Sequence, residues 1–202
     1  HGYEYRAISD PTKLYPVVEP FGVSENHPTS GVSETTKTGS LVSAFIEGYY
    51  ESRQVPIVGV SCSKGGTASS FWMPDGKPLN DAIARHNSAK DWLEENGYII
   101  EHDYMVWLQG ESDGGQNVSS EQYASNLTAI IEEMIVEAGI EFCAIIRIGH
   151  AKNNPNRHKQ IIDSQTNLCK TYDKAVLIST MLAGCSGDQM KDEYHYKQST
   201  YN

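Results

Sequence analysis

Tyr104-Met105-Val106-Trp107-Leu108-Gln109-Gly110-Glu111-Ser112-Asp113 is the stretch that decides how this chain folds. Its first five residues are a short apolar run, as a strand buried on both faces requires. Its last five switch abruptly to polar and glycine chemistry. Next, Tyr123, Leu127, Ile130, Ile131, Met134 and Ile135 form one apolar stripe at helical spacing across residues 119–138. Ser119 and Gln122 stand where a capping box would start that helix. Residues 142–148 (FCAIIRI) return to a strand-like run. Strand, helix and strand of these lengths predict a right-handed crossover and a parallel sheet.

The same alternation extends outward. Leu41, Val42, Phe45, Ile46 and Tyr49 predict a helix, and residues 55–62 (VPIVGVSC) a buried strand. Ile83, His86, Ala89, Trp92 and Leu93 predict a second helix, ended by Asn96-Gly97. Ile161, Ile162, Gln165, Leu168, Cys169 and Tyr172 predict another, and residues 175–181 a fourth strand. Residues 1–38 are rich in Pro, Gly, Ser and Thr without a period, and read as a long loop. Residues 1–202 read as one domain. In a parallel sheet the functional loops lie at the carboxyl ends of the strands. Ser63-Lys64-Gly65-Gly66-Thr67, Gln109 to Ser112, Gly149-His150, and Asp192 with His195 each follow one of the strands.

Composition narrows the function classes. Hydrophobic residues are 39% and charged residues 21%, which separates the chain from disordered sequences. The net charge of −10 repels phosphate backbones and disfavours nucleic-acid binding, so no nucleic-acid partner is expected. An anionic substrate would need a local Arg or Lys. No apolar run approaches membrane-spanning length, so the reading is a soluble protein without a membrane partner. The compartment, cytoplasmic or secreted, and the oligomeric state stay open. Cys62, Cys143, Cys169 and Cys185 form no C-x-x-C pair, and His1, His27, His86, His102 and His158 show no metal-ligand spacing. No metal and no cofactor are expected.

The chemistry concentrates in two places. Asp192-Glu193-Tyr194-His195 is an Asp-x-x-His, in which the carboxylate can bond the ring Nδ1–H and leave the other nitrogen as a base. Its bland reading is a surface histidine and a helix cap. Gln109 directly after a buried run is costly unless it is used. Gly65-Gly66 is at least a tight turn, and no Walker pattern surrounds Lys64. Trp72, just beyond it, is a candidate sugar platform. Gly110-Glu111-Ser112-Asp113-Gly114 also matches G-x-S-x-G, which makes Ser112 an alternative nucleophile. Such an elbow must turn straight into a helix, whereas Asp-Gly-Gly-Gln-Asn-Val is expected to intervene before the helix near Ser119.

Together, Gly-Gly-Thr at 65–67 with Trp72, Trp-Leu-Gln-Gly-Glu-Ser-Asp at 107–113 and Asp-x-x-His at 192–195 resemble the SGNH/GDSL hydrolases. The branch they resemble is the carbohydrate O-acetylesterases, which include sialate O-acetylesterase-like and acetylxylan esterase-like proteins. Glu-Pro-Phe-Gly at 19–22 looks like a loop of the same family. The resemblance implies a three-layer α/β/α sandwich with a flavodoxin-like parallel sheet. It implies a serine esterase that hydrolyses O-acetyl esters on carbohydrates through an acyl-enzyme. By resemblance His195 is the base and Asp192 its orienting carboxylate, with Glu111 a second candidate for that support. The oxyanion hole would use a backbone N–H of Gly65 or Gly66 and the Gln109 amide. The family's nucleophile sits in a Gly-Gln-Ser-Asn block at the end of the first strand. No such block occurs here, so the first strand is expected to be absent, the chain to be an internal fragment, and the serine to lie upstream. An α/β-hydrolase using Ser112 and a non-catalytic carbohydrate-binding relative are the alternatives.

Overall fold

The computed structural model describes residues 1–25 and 39–201. In chain order the main elements are β1 (Gly2–Arg6), β2 (Asp10–Pro16), α1 (Val42–Arg53), β3 (Ile57–Val60) and α2 (Lys77–Glu95). They continue with β4 (Tyr104–Trp107), α3 (Glu111–Gly115), α4 (Ser120–Glu133), β5 (Phe142–Ile146), α5 (Lys159–Thr171), β6 (Ala175–Ser179) and α6 (Gln198–Tyr201). Two compact units divide the chain. One holds His1–Gly65 and Asn80–Ile100, the other Gly66–Leu79 and Glu101–Thr200.

In the first unit the strand order is β2-β1-β3, with β1 antiparallel to β2 and parallel to β3. This corrects the expectation of a loop over residues 1–38. The described chain opens on a strand, and a second strand follows at Asp10. Residues 26–38 of that expected loop, His27 among them, lie outside the described residues. The strands escape the usual pattern because β1 buries a charge. Glu4 is 3% exposed, accepting from Arg6 Nε at 2.8 Å and Gly22 N at 2.9 Å.

The second unit carries a wholly parallel sheet in the order β4-β5-β6. Consecutive strands laid in one direction by right-handed crossovers place both connecting helices on one face. Accordingly α4, which joins β4 to β5, packs on α5, which joins β5 to β6. The stripe expected on α4 is the core: Tyr123, Leu127, Ile130 and Ile131 are all fully buried. Burial of such a side chain stabilises by about 1.5–3 kcal/mol. The helix begins where the cap predicts, with Ser119 Oγ accepting from Gln122 N at 3.1 Å. The reciprocal half of the box is replaced, because the Gln122 side chain donates to Asn126 Oδ1 at 2.7 Å. At its far end a π turn, Met134–Ala138, continues the rod to the predicted limit. No helix among the described residues is long and apolar enough to cross a membrane.

Candidate active site

The site grows from the end of β4. The Gln109 carbonyl accepts from Tyr123 Oη at 2.9 Å and from Gln165 Nε2 at 2.8 Å. Gln165 is fully buried on α5 and also accepts from Ile148 N at 3.1 Å. One α5 side chain therefore fixes the chain just beyond β4 and just beyond β5. Gly110 then turns with φ of 151°, where an added Cβ would meet Ile161 Cγ2 at 2.8 Å and Ile148 Cδ1 at 2.9 Å. Only glycine fits there.

The chain winds into α3 at once. The expected irregular run after Ser112 is thus corrected, and the objection it raised to a nucleophile elbow falls with it. No hydrogen bond joins Ser112 to the His195 ring among the described residues. Five residues with two glycines hold no helix by propensity; Asp113 anchors this one. It is fully buried, and its carboxylate accepts from Ser69 N at 2.8 Å, Ser69 Oγ at 2.6 Å and Gln109 Nε2 at 2.6 Å. Gln109 Nε2 also donates to Thr67 O at 2.9 Å. Both amide N–H groups of Gln109 thus have acceptors, and the Thr67–Ser69 turn is tied to α3. Gly66 leads into that turn with φ of 70°, while Gly65 belongs to the other unit. Trp72 is buried against Trp107, ring centroids 6.3 Å apart, with its Nε1 donating to Thr67 Oγ1 at 3.0 Å. It is core, and the expectation of a sugar platform is corrected.

Beyond β6, Met190 and Tyr196 pair across a tight turn that holds the Asp-x-x-His. Asp192 Oδ1 accepts from Tyr194 N at 2.9 Å and His195 N at 2.8 Å. The same carboxylate meets His195 Nδ1 at 3.0 Å through Oδ1 and at 2.8 Å through Oδ2. Asp192 therefore shapes the turn and orients the ring together. Partial burial pushes its carboxyl up, but these hydrogen bonds and the adjacent ring outweigh that and hold it at about 2. His195 Nε2 carries no hydrogen bond among the described residues, and the side chain is 68% exposed.

Glu111 is half-buried at the first position of α3. Loss of solvent raises its carboxyl above the usual range, opposed by its own N–H, by His195 and by the Gly110 N–H. Glu111 thus lies within the field of His195, while the hydrogen bond to the ring belongs to Asp192.

Spacing gave no hint of His158. It is 1% exposed, its Nδ1 lies 3.2 Å from Gly149 O, and Nε2 has no partner. Burial pushes its ring below the usual histidine range. Next to it, Arg157 Nη1 donates to Glu193 Oε1 at 3.3 Å, and Lys152 N donates to Glu193 O at 3.0 Å. The segment after β5 thereby braces the His195 turn. Asp113, Gln165 and His158 are the residues that sequence reasoning missed as parts of the site.

A family model described as carbohydrate esterase, sialic acid-specific acetylesterase, matches residues 11–201. The chain belongs to this family. As a carbohydrate esterase it shares its fold with a protein from Arabidopsis thaliana at TM-score 0.73 and 17% identity, over 99% of this chain and 75% of that one. A catalytic mutant of an acetylxylan esterase from Geobacillus stearothermophilus superposes at TM-score 0.53 and 10% identity, over 87% and 82% of the two chains. These likenesses fit a three-layer α/β/α fold. No curated protein sequence matches this carbohydrate esterase significantly.

Proposed function

We propose that this carbohydrate esterase removes O-acetyl groups from sugars through an acyl-enzyme, with His195 as the base. The observation that carries this assignment is the Asp192 carboxylate on His195 Nδ1 at 2.8 Å, with Nε2 left open. A base so oriented takes the proton of an attacking hydroxyl through Nε2 and returns it to the leaving sugar oxygen. Water then attacks the acetyl-enzyme with the same base. The imidazolium formed in each step is stabilised by ionised Asp192. The oxyanion is assigned to the backbone N–H of Gly66, which belongs to the same unit as His195. Gln109 can join it only by releasing Thr67 O or Asp113, so its standing role is to fix the Thr67–Ser69 turn.

The nucleophile is assigned to a serine other than Ser112, because Ser112 makes no bond to the ring. One observation favours the competing elbow: α3 follows β4 as directly as an elbow needs. A fluorophosphonate adduct on the full-length protein, mapped by mass spectrometry, separates the two. The assignment expects an adduct on another serine and labelling that survives Ser112→Ala. An adduct on the peptide containing Ser112 would overturn it.

A further inference from the structure

A cavity of about 430 Å³ opens beside the His195 turn, between the end of α3, the segment before α5 and the first turn of α5. Its side chains are Asn117, Asn154, Asn156, Arg157 and Gln160, and its floor is Gly114 and Gly115. No apolar side chain lines it. The Asn117, Asn156 and Gln160 amides have no hydrogen-bond partner among the described residues. Each offers a donor pair and an acceptor. Beneath the floor lies the buried His158 ring. An added Cβ at Gly114 would sit 2.6 Å from His158 Cδ2, the atom next to the unpartnered Nε2. A buried nitrogen without a partner needs explaining, and here its ring packs against Gly114, a residue of the cavity floor.

The cavity adjoins the site. Gly114 and Gly115 end the helix that Glu111 begins, and the Arg157 guanidinium reaches Glu193, two residues before His195. The charge is balanced. Arg157 is the cation of the cavity wall, Glu193 sits 3.3 Å from it, and the whole chain carries −10. A guanidinium already facing a carboxylate is a donor to hydroxyls, not a clamp for another anion, and the net field repels acids. We infer that this cavity is a subsite for an uncharged glycosyl unit of the substrate, read through its hydroxyls by Asn117, Asn156, Gln160 and Arg157. The inference rests on the esterase assignment above and adds that the preferred sugar is neutral, not an acidic sugar such as a sialic acid.

Calorimetric titration of the full-length protein with unacetylated xylotriose and with sialic acid tests it, alongside side-chain amide NMR during the xylotriose titration. Xylotriose is expected to bind about tenfold or more tightly than sialic acid, and to shift the Asn117, Asn156 and Gln160 amide signals. The Asn156→Ala/Gln160→Ala double variant, checked for an unchanged unfolding midpoint, should lose about tenfold in xylotriose affinity, as expected for two hydrogen bonds. Sialic acid binding equally well or better, amide signals that stay put, or a folded double variant with unchanged affinity would each overturn the subsite. If the double variant does not fold, the amide shifts of the wild type decide. Hydrolysis of 4-nitrophenyl acetate by the wild type is the separate test of the esterase assignment, and its failure leaves the sugar titrations to stand or fall on their own.

Discussion

At the residue scale, Asp192 combines two tasks that its spacing alone leaves apart. Accepting two backbone N–H groups costs it nothing as a ring partner, because its second oxygen remains for Nδ1. Its folded value of about 2 lies below the ordinary aspartate value. Its contribution to stability is therefore complete above about pH 4 and is lost as the pH falls toward 2. Asp192→Asn keeps the size but removes the charge and favours the wrong tautomer. It should lower kcat by roughly two to four orders of magnitude with little change in KM; steady-state kinetics on the full-length protein check this. Glu111 runs the opposite way. Its carboxyl is raised, so the folded state favours the protonated form, and stability falls as the pH climbs above about 4. Glu111→Gln should therefore raise the unfolding temperature at pH 8 and leave it nearly unchanged at pH 4, as calorimetry at the two values would show. Asp113→Ala leaves three buried donors unpaired, on Ser69 and Gln109. A loss of about 2–4 kcal/mol is expected in urea unfolding. The Asp192–His195 contact was legible from its spacing, and Gln109 and Glu111 stood out in their motif. Asp113 stood in the same motif, yet its importance lies with partners 44 residues away, which no local spacing encodes.

At the element scale, the sheet and helices of the second unit were readable because each buries a regular stripe. Tyr123, Leu127, Ile130 and Ile131 mark α4 as plainly in the sequence as in the packed core. The missed elements lack that signal. In β2 the outermost residues include two prolines, and most of its side chains face solvent. In β1 the buried pair is Glu4 and Tyr5, adjacent residues of unlike polarity. In α3 two glycines hide a helix that long-range bonds to Asp113 impose. The joint between β4 and α3 forms part of the candidate site, and Gly110 permits it. Gly110→Ala combines a disfavoured φ with contacts under 3 Å to Ile161 and Ile148. It should destabilise the protein by about 2–3 kcal/mol in denaturant titration and lower turnover, since Gln109 and Glu111 move with it.

For the whole molecule, the family, the sheet type and the Asp-x-x-His were accessible from three short blocks of sequence. The division into two units was not, because composition hardly changes along the chain while the contacts do. Nor was the amide-lined cavity, whose residues come from two segments some forty positions apart. The charge of −10 acts at this scale, disfavouring acidic ligands, and the Arg157 guanidinium, already facing Glu193, does not reverse that. The central claim is that a base held by Asp192 performs ester hydrolysis on a sugar. The direct measurement is acetate release from an acetylated xylo-oligosaccharide by the full-length protein and by His195→Ala at equal folded concentration. The account predicts sustained release by the wild type and only the background rate from His195→Ala. A folded His195→Ala variant that releases acetate nearly as fast as the wild type would contradict it.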